Sequence, residues 1–134
     1  MIAVDTSALV AIVLGEAERD VFRTAILQAS RALVSTVSAL ELKMVVYGRR
    51  GPRGVVQADS LLKLPNFEIA SPEVAEMDAA FAAFVAYGKG SGHPAALNFG
   101  DVFSYALAKV RGLPLLFKGH DFVRTDIVPA VRLN

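Results

Sequence analysis

The chain carries 14 basic and 13 acidic residues among 134, a formal net charge of +1, with no cysteine and 54% hydrophobic residues. That length predicts one domain over 1–134 with a real core; the balanced charge leaves any nucleic-acid partner to local clusters, and the missing thiols exclude a disulfide framework or a thiolate metal site. No apolar run reaches the roughly 18 residues of a membrane span, and the first one lacks a basic lead-in, so a cytoplasmic protein is expected, while a mean hydropathy of +0.45 predicts a partner or self-association surface.

Residues 2–4, IAV, form an apolar run of strand length, and TSALVAIVL after it places apolar residues at 8, 9, 12 and 13, a helical spacing. A strand therefore gives way to a helix with Asp5 at the junction. Gly15 closes that helix, and EAERDVFRTAILQAS sets Val21, Ala25 and Leu27 among charges, an amphipathic helix ending near Ser30. ALV at 32–34 predicts a second strand. STVSALELKMVVYGRR opens on hydroxyl caps and reads as helix to Gly48, and GPRGVVQADSLLKL restarts one after Pro52. FEIA at 67–70 predicts a third strand.

In SPEVAEMDAAFAAFVAYGKG a serine cap, a proline at the first helical position and early acids predict a helix that Gly88 and Gly90 end. After the loop GKGSGHPAA, Asn98 caps a helix through LNFGDVFSYALAKVRG that Gly112 terminates. LPLLF predicts a fourth strand and AVRL near the end a fifth. Strands alternating with helices specify an α/β fold: a mostly parallel central sheet of four to five strands with helices on both faces. In such sheets ligands bind beyond the carboxyl ends of the strands, at a topological switch point.

That rule makes the acids near strand ends informative. Asp5 ends the first strand; an aspartate there is also an ordinary helix N-cap, but Thr6 and Ser7 cap equally well, so the fold does not require a charge. Glu41 shares its helical face with Val37, Ser38, Met44 and Val45, none of them a cation, and Lys43 faces elsewhere. Burying that carboxylate unpaired would cost several kcal/mol, ~2–5, or force protonation. Asp101 lies three residues past the Asn98 cap, where an acid also complements the helix dipole. Asp121 follows the LPLLF strand and could be a plain turn aspartate. Gathered at one crevice, three or four carboxylates repel unless a cation neutralises them, and without thiols the natural guest is a hard ion, Mg²⁺ or Mn²⁺. The chemistry expected of such an oxygen-only site is metal-assisted phosphodiester hydrolysis.

The segments VDTSALVAI, SALEL, HPAALNFGDVFSYALAKVRG and PLLFKGHDFVRTDI resemble, in order and spacing, those of PIN-domain nucleases, and within them the VapC-like toxins of toxin–antitoxin pairs. The resemblance covers nearly the whole chain and implies a PIN-like three-layer fold. It implies Asp5, Glu41 and Asp101 as metal-binding acids, with Thr6 or Ser7 assisting at the first strand. It further implies a magnesium-dependent endoribonuclease that cuts structured RNA, is held inactive by a cognate antitoxin, and is usually a dimer. Many members place an aspartate two positions before the DF pair, where this chain has Gly119. The fourth acid then falls between Asp121 and Asp126, and Asp121 is favoured because it lies four residues past Phe117, near the strand end, with Phe122 expected to plug the core and orient the loop.

Other candidates for chemistry are weaker. His93 and His120 have no zinc-ligand spacing and read as loop histidines, although His93 could face substrate. GKGSG lacks the ending of a phosphate loop, and GRRGPRG has no strand leading into it. Arg49, Arg50 and Arg53 form the dense basic cluster, and Lys118 and Arg124 flank the proposed site; any of these could hold RNA phosphates. Tyr47, Tyr87 and Tyr105 are spaced as core or helix-surface aromatics. The α-helical region over 36–64, rich in Val, Leu and Met, is the expected groove for an apolar antitoxin segment. Two rival functions are the same fold acting on DNA or another phosphoester, and a catalytically silent binding module; gathered acids at 5, 41 and 101 speak against the second.

Overall fold

The computed structural model describes residues 1–133. In chain order it contains β1 (Ile2–Val4), α1 (Thr6–Leu14), α2 (Arg19–Gln28), β2 (Ala32–Ser35), α3 (Thr36–Arg50), α4 (Pro52–Leu62), β3 (Phe67–Ala70), α5 (Val74–Tyr87), α6 (Phe99–Arg111) and β4 (Leu115–Leu116), then a 3-10 turn at Phe122–Arg124. The sheet order is β3-β2-β1-β4, and every pairing is parallel: Ala3 stands opposite Leu33 on one side and Leu115 on the other. All carboxyl ends therefore point the same way. From β1 the chain crosses to β2 and β3 on one side and returns to β4 on the other, so the direction of winding reverses beside β1. Such a reversal opens a crevice at the strand ends, and Asp5 is the first residue beyond β1.

Period-2 alternation of the strands divides the core into two layers. Ala3, Leu33 and Leu115 pack with Ala83, Val102 and Leu107 of α5 and α6. Val4, Val34 and Leu116 face the opposite way and pack with Leu9, Phe22 and Leu42 of α1, α2 and α3. Strands buried on both faces read as continuous apolar runs, which is why IAV, ALV and LPLLF are legible without alternation. Position 5 continues the alternation onto the side of Ala3, toward α6.

All the expected elements but the fifth strand are present, with differences at their ends. α3 runs through Gly48 to Arg50 and breaks only at Gly51, because a glycine inside a helix costs about 1 kcal/mol, less than the packing of Leu42 and Val46 returns. α5 begins later than Ser71 and Pro72 suggest: Glu73 is its N-cap, in a reciprocal capping box with Glu76, so the local glutamate pair outcompetes the serine cap. The fifth strand over AVRL is not formed. The chain instead meets the sheet at a single bridge, Leu115 with Pro129, where Leu115 donates to the Val128 carbonyl and Ala130 donates to that of Leu115. Proline has no N–H to extend a ladder there. No helix among the described residues is long and apolar enough to cross a membrane.

Candidate active site

Asp5 has extended backbone (φ −86°, ψ 155°) and is the N-cap of α1, so it is both a cap and a crevice residue. Its side chain is 4% exposed and fully directed by its neighbours. Oδ2 accepts the Ser7 backbone N–H at 3.0 Å and the Ser7 hydroxyl at 2.6 Å; Oδ1 accepts the Ser104 hydroxyl, from α6, at 2.5 Å. Behind Ser104, at 3.1 Å, lies the Ser38 hydroxyl of α3. The Thr6 hydroxyl donates to the Ser38 carbonyl at 3.0 Å, tying α1 to α3. Of the two hydroxyls beside Asp5 in sequence, Ser7 therefore touches the carboxylate and Thr6 does not.

Asp101 occupies the third helical position of α6 and closes a capping box with Asn98: its Oδ2 accepts the Asn98 N–H at 3.0 Å while Asn98 Oδ1 accepts its N–H at 2.9 Å. A carboxylate so placed would ordinarily be more acidic. Burial instead raises its pKa to about 6, against the acidifying Asn98 bond, and the charges of Asp5, Asp121 and Glu41 push it the same way. Charges from three other chain segments thus reach Asp101 across the crevice. Glu41, on α3, is half-buried, and its carboxylate lies against the first turn of α6: a Cβ on Gly100 would stand 2.6 Å from Glu41 Oε2. Lys43 faces α4, where it pairs with Asp59 at 2.9 Å, and leaves Glu41 without a neutralising neighbour on its own helix.

Asp121 is exposed at the start of the 3-10 turn, and Phe122 beside it is buried against Phe117, ring centroids 5.2 Å apart, which anchors the loop as expected. Asp126 is committed elsewhere. Its Oδ1 accepts the Tyr105 hydroxyl at 2.6 Å and its Oδ2 the Lys109 ammonium at 2.9 Å, and these bonds, Tyr105 first, lower its pKa. Among the described residues no three or more Asp, Glu or His side chains stand close enough together to hold a metal ion between them.

The basic candidates divide. Arg50 donates to the carbonyls of Val13 (2.8 Å) and Leu14 (3.3 Å) and to Gln57, so its guanidinium caps the carboxyl end of α1, the end away from Asp5. That corrects its reading as a phosphate contact. Lys118 does stand beside the site: its backbone N–H donates to Ser7 Oγ at 2.9 Å, but its ammonium is paired with Glu16 at 3.0 Å and Glu18 at 3.1 Å. Arg49 and Arg53 are exposed near the α3–α4 turn, and Arg124 is exposed at the end of the 3-10 turn, three residues past Asp121. His93 is a loop histidine whose Nδ1 accepts the Ala95 N–H at 3.0 Å and whose ring meets Tyr87 edge-on. His120 is exposed. Ser104, Ser38 and Gly100 carry site geometry that the sequence reading overlooks. A polar serine within the otherwise apolar run FSYALA, three residues past Asp101 and so on the same face of α6, is the one available signal.

The PIN domain model matches residues 2–128. Ribonuclease VapC42 of Mycobacterium tuberculosis is 42% identical over 127 residues, 95% of this chain and 97% of the relative. Ribonuclease VapC30 of the same species is 44% identical over 124 residues, 92% and 94% of the two chains. Among solved structures, VapC20 of Mycobacterium tuberculosis, described as a sarcin-ricin loop cleaving toxin, superposes with a TM-score of 0.80 at 20% identity, covering 99% of this chain and 100% of its own. VapBC2 of Rickettsia felis, bound to a promoter DNA fragment, superposes at 0.77 and 14% identity over 96% of each chain. With nearly its whole length matched by the family model and by relatives more than 40% identical, this chain belongs to the PIN-domain family, among the VapC ribonucleases.

Proposed function

We propose that the chain is a Mg²⁺-dependent endoribonuclease, the toxin of a toxin–antitoxin pair, with Asp5, Glu41, Asp101 and Asp121 as its metal-binding and catalytic acids. The observation that carries this reading is Asp101 at the start of α6, its carboxyl raised to about 6 chiefly by burial and then by the charges of Asp5, Asp121 and Glu41, in a site whose donors are all oxygens. A hard divalent cation, Mg²⁺ or Mn²⁺, suits such a donor set and would relieve the repulsion. When bound, the ion supplies charge neutralisation at the scissile phosphodiester and activation of the attacking water. The protein's own part is orientation. Ser7 and Ser104 hold Asp5, the capping box holds Asp101, and Phe122 seats the loop bearing Asp121. Arg124 is exposed three residues past Asp121, and we assign it to the RNA backbone, where its loss should flatten the salt dependence of binding. Purified protein incubated with Mg²⁺ and end-labelled RNA or DNA of one sequence tests the reading. RNA should be cut and DNA spared; cleavage of DNA alone would make it a DNA nuclease, and cleavage of neither a binding module.

Asp121 and Asp126 should differ. Asp121→Asn should slow cleavage by about tenfold or more at limiting Mg²⁺, because it removes a charge facing Asp101. Asp126→Asn should mainly lower the melting temperature, because it weakens the bonds to Tyr105 and Lys109. Rates across a Mg²⁺ series, with melts in parallel, check both; the opposite ranking would reverse the assignment.

Gly100 gives a third expectation. Alanine there would press on the Glu41 carboxylate, whose flexible end can swing aside, so Gly100→Ala should fold but bind Mn²⁺ about tenfold more weakly. A titration followed by the spectrum of free Mn²⁺ measures it, and unchanged affinity would remove Glu41 from the ligand set.

The exposed apolar side chains suit two protein partners. Leu40, Met44 and Tyr47 stand at i, i+4 and i+7 on α3 with 59%, 66% and 61% exposure, and we assign this face to an apolar segment of the antitoxin. Met77, Phe81 and Phe84 form a second stripe on α5, which we assign to a second copy of the chain. Hydrogen exchange on a co-purified complex should show protection between residues 36 and 64.

A further inference from the structure

Asp5 offers less to a cation than its two oxygens suggest. A carboxylate has about four lone-pair positions, two on each oxygen. On Oδ2 both are taken, by the Ser7 N–H and the Ser7 hydroxyl. On Oδ1 one is taken, by Ser104. A single lone pair remains, and its direction is set by where Ser104 stands.

Ser104 is itself constrained. It is fully buried, and its one proton is spent on Asp5, so at 3.1 Å the Ser38 hydroxyl must be the donor and Ser104 the acceptor. Ser38 is 1% exposed, so bulk water does not compete for that bond. A polarised chain thus runs from α3 through α6 to the first acid at the end of β1, joining the helices that carry Glu41 and Asp101 to Asp5.

We propose that Ser104, backed by Ser38, is a positioning residue that fixes Asp5 as a one-point ligand for a divalent cation through the free lone pair of Oδ1. The inference rests on the reading of the four acids as a metal site. Without the Ser104 hydroxyl, Oδ1 has two open positions and the carboxylate, held only at Oδ2 by Ser7, can turn about that oxygen, so the ion must order Oδ1 at a cost in affinity. Hydrogen-bond partners behind metal ligands are worth about 10–100-fold in metal affinity, and Ser104 fills that place here.

Chelator-stripped protein is titrated with Mn²⁺ and the free ion is read by electron paramagnetic resonance. Ser104→Ala should melt cooperatively yet bind Mn²⁺ about tenfold or more weakly, with the Mg²⁺ needed for half-maximal cleavage raised by the same factor and the rate at saturating Mg²⁺ recovered. Ser104→Thr, which retains the hydroxyl, should stay near wild type. Wild-type Mn²⁺ affinity in a folded Ser104→Ala protein overturns the proposal. Should that variant not melt cooperatively, Ser38→Ala is read in its place, with a smaller loss of the same sign expected and no loss counting against the proposal. Asp5→Asn in the same titration separates the two levels. If Asp5→Asn binds Mn²⁺ as wild type does, the metal site itself is misplaced; if only Asp5→Asn weakens binding and the serine variants do not, the positioning role alone fails.

Discussion

Asp5→Asn should fold, hold α1 in place and lose at least about a hundredfold in cleavage, since a ligand should matter more than the partners behind it. Asparagine caps a helix as well as aspartate does, so the start of α1 is preserved. The hydrogen bonds then decide which way the amide turns. Ser7 presents two donors to the Oδ2 position, so the amide oxygen must lie there. The NH₂ group falls at the position of Oδ1, where Ser104 can turn to accept from it. The remaining lone pair of Oδ1 is thereby replaced by an N–H, a donor aimed where a cation would be held. The substitution inverts the local polarity rather than merely removing a charge. Circular dichroism, Mn²⁺ titration and RNA cleavage on one preparation check it: native spectra with activity within a few-fold of wild type would remove Asp5 from the mechanism.

The parts of the fold written in local pattern were legible. IAV followed by a helix-spaced run set β1 and α1, and Asn98 with Gly112 bounded α6. Asp5 was conspicuous because parallel strands end at a binding crevice, and Glu41 because its helical face carries no cation. The overlooked features depend on chain separation. Ser104 meets Asp5 across 99 positions, and neither sequence neighbourhood announces the other. Arg50 looked like part of a basic patch because its partners, the Val13 and Leu14 carbonyls, are 37 and 36 residues away and belong to the backbone. Lys118 sits beside Ser7 as its position suggested, but two glutamates 102 and 100 residues upstream hold its ammonium. At the C-terminus AVRL has the composition of a strand, yet the parallel contact lies at Pro129, where the ladder cannot grow.

The metal-free protein should become less stable as pH rises from 4 to 7, and Asp101→Asn should remove most of that loss. The Asp101 carboxyl has an ordinary value of 3.8 and is raised to about 6 in the folded state, chiefly by burial and then by the charges of Asp5, Asp121 and Glu41. A group raised on folding contributes stability that is fully present below its unfolded value and lost as pH climbs through its folded value. The window is therefore about pH 4 to 6, with the deficit complete by pH 7. At 1.36 kcal/mol per pH unit the upper bound is about 3 kcal/mol, and screening at a partly exposed carboxyl reduces it to about 1–2 kcal/mol. For a domain of this size that is a shift of roughly 3–8 °C in Tm. Asparagine at 101 still accepts the Asn98 N–H, so the capping box survives and the difference between the two proteins reports the buried charge. Mg²⁺ should reverse the order above pH 6, because an ion that binds only the folded state stabilises wild type by mass action while the variant, short of one anionic ligand, gains less. Melts of both proteins in chelator and in Mg²⁺ from pH 4 to 8 decide the matter. Parallel curves in chelator would mean that Asp101 is solvated and feels none of its neighbours; divergent curves in chelator that Mg²⁺ does not re-order would keep the crowded acids but deny them the metal.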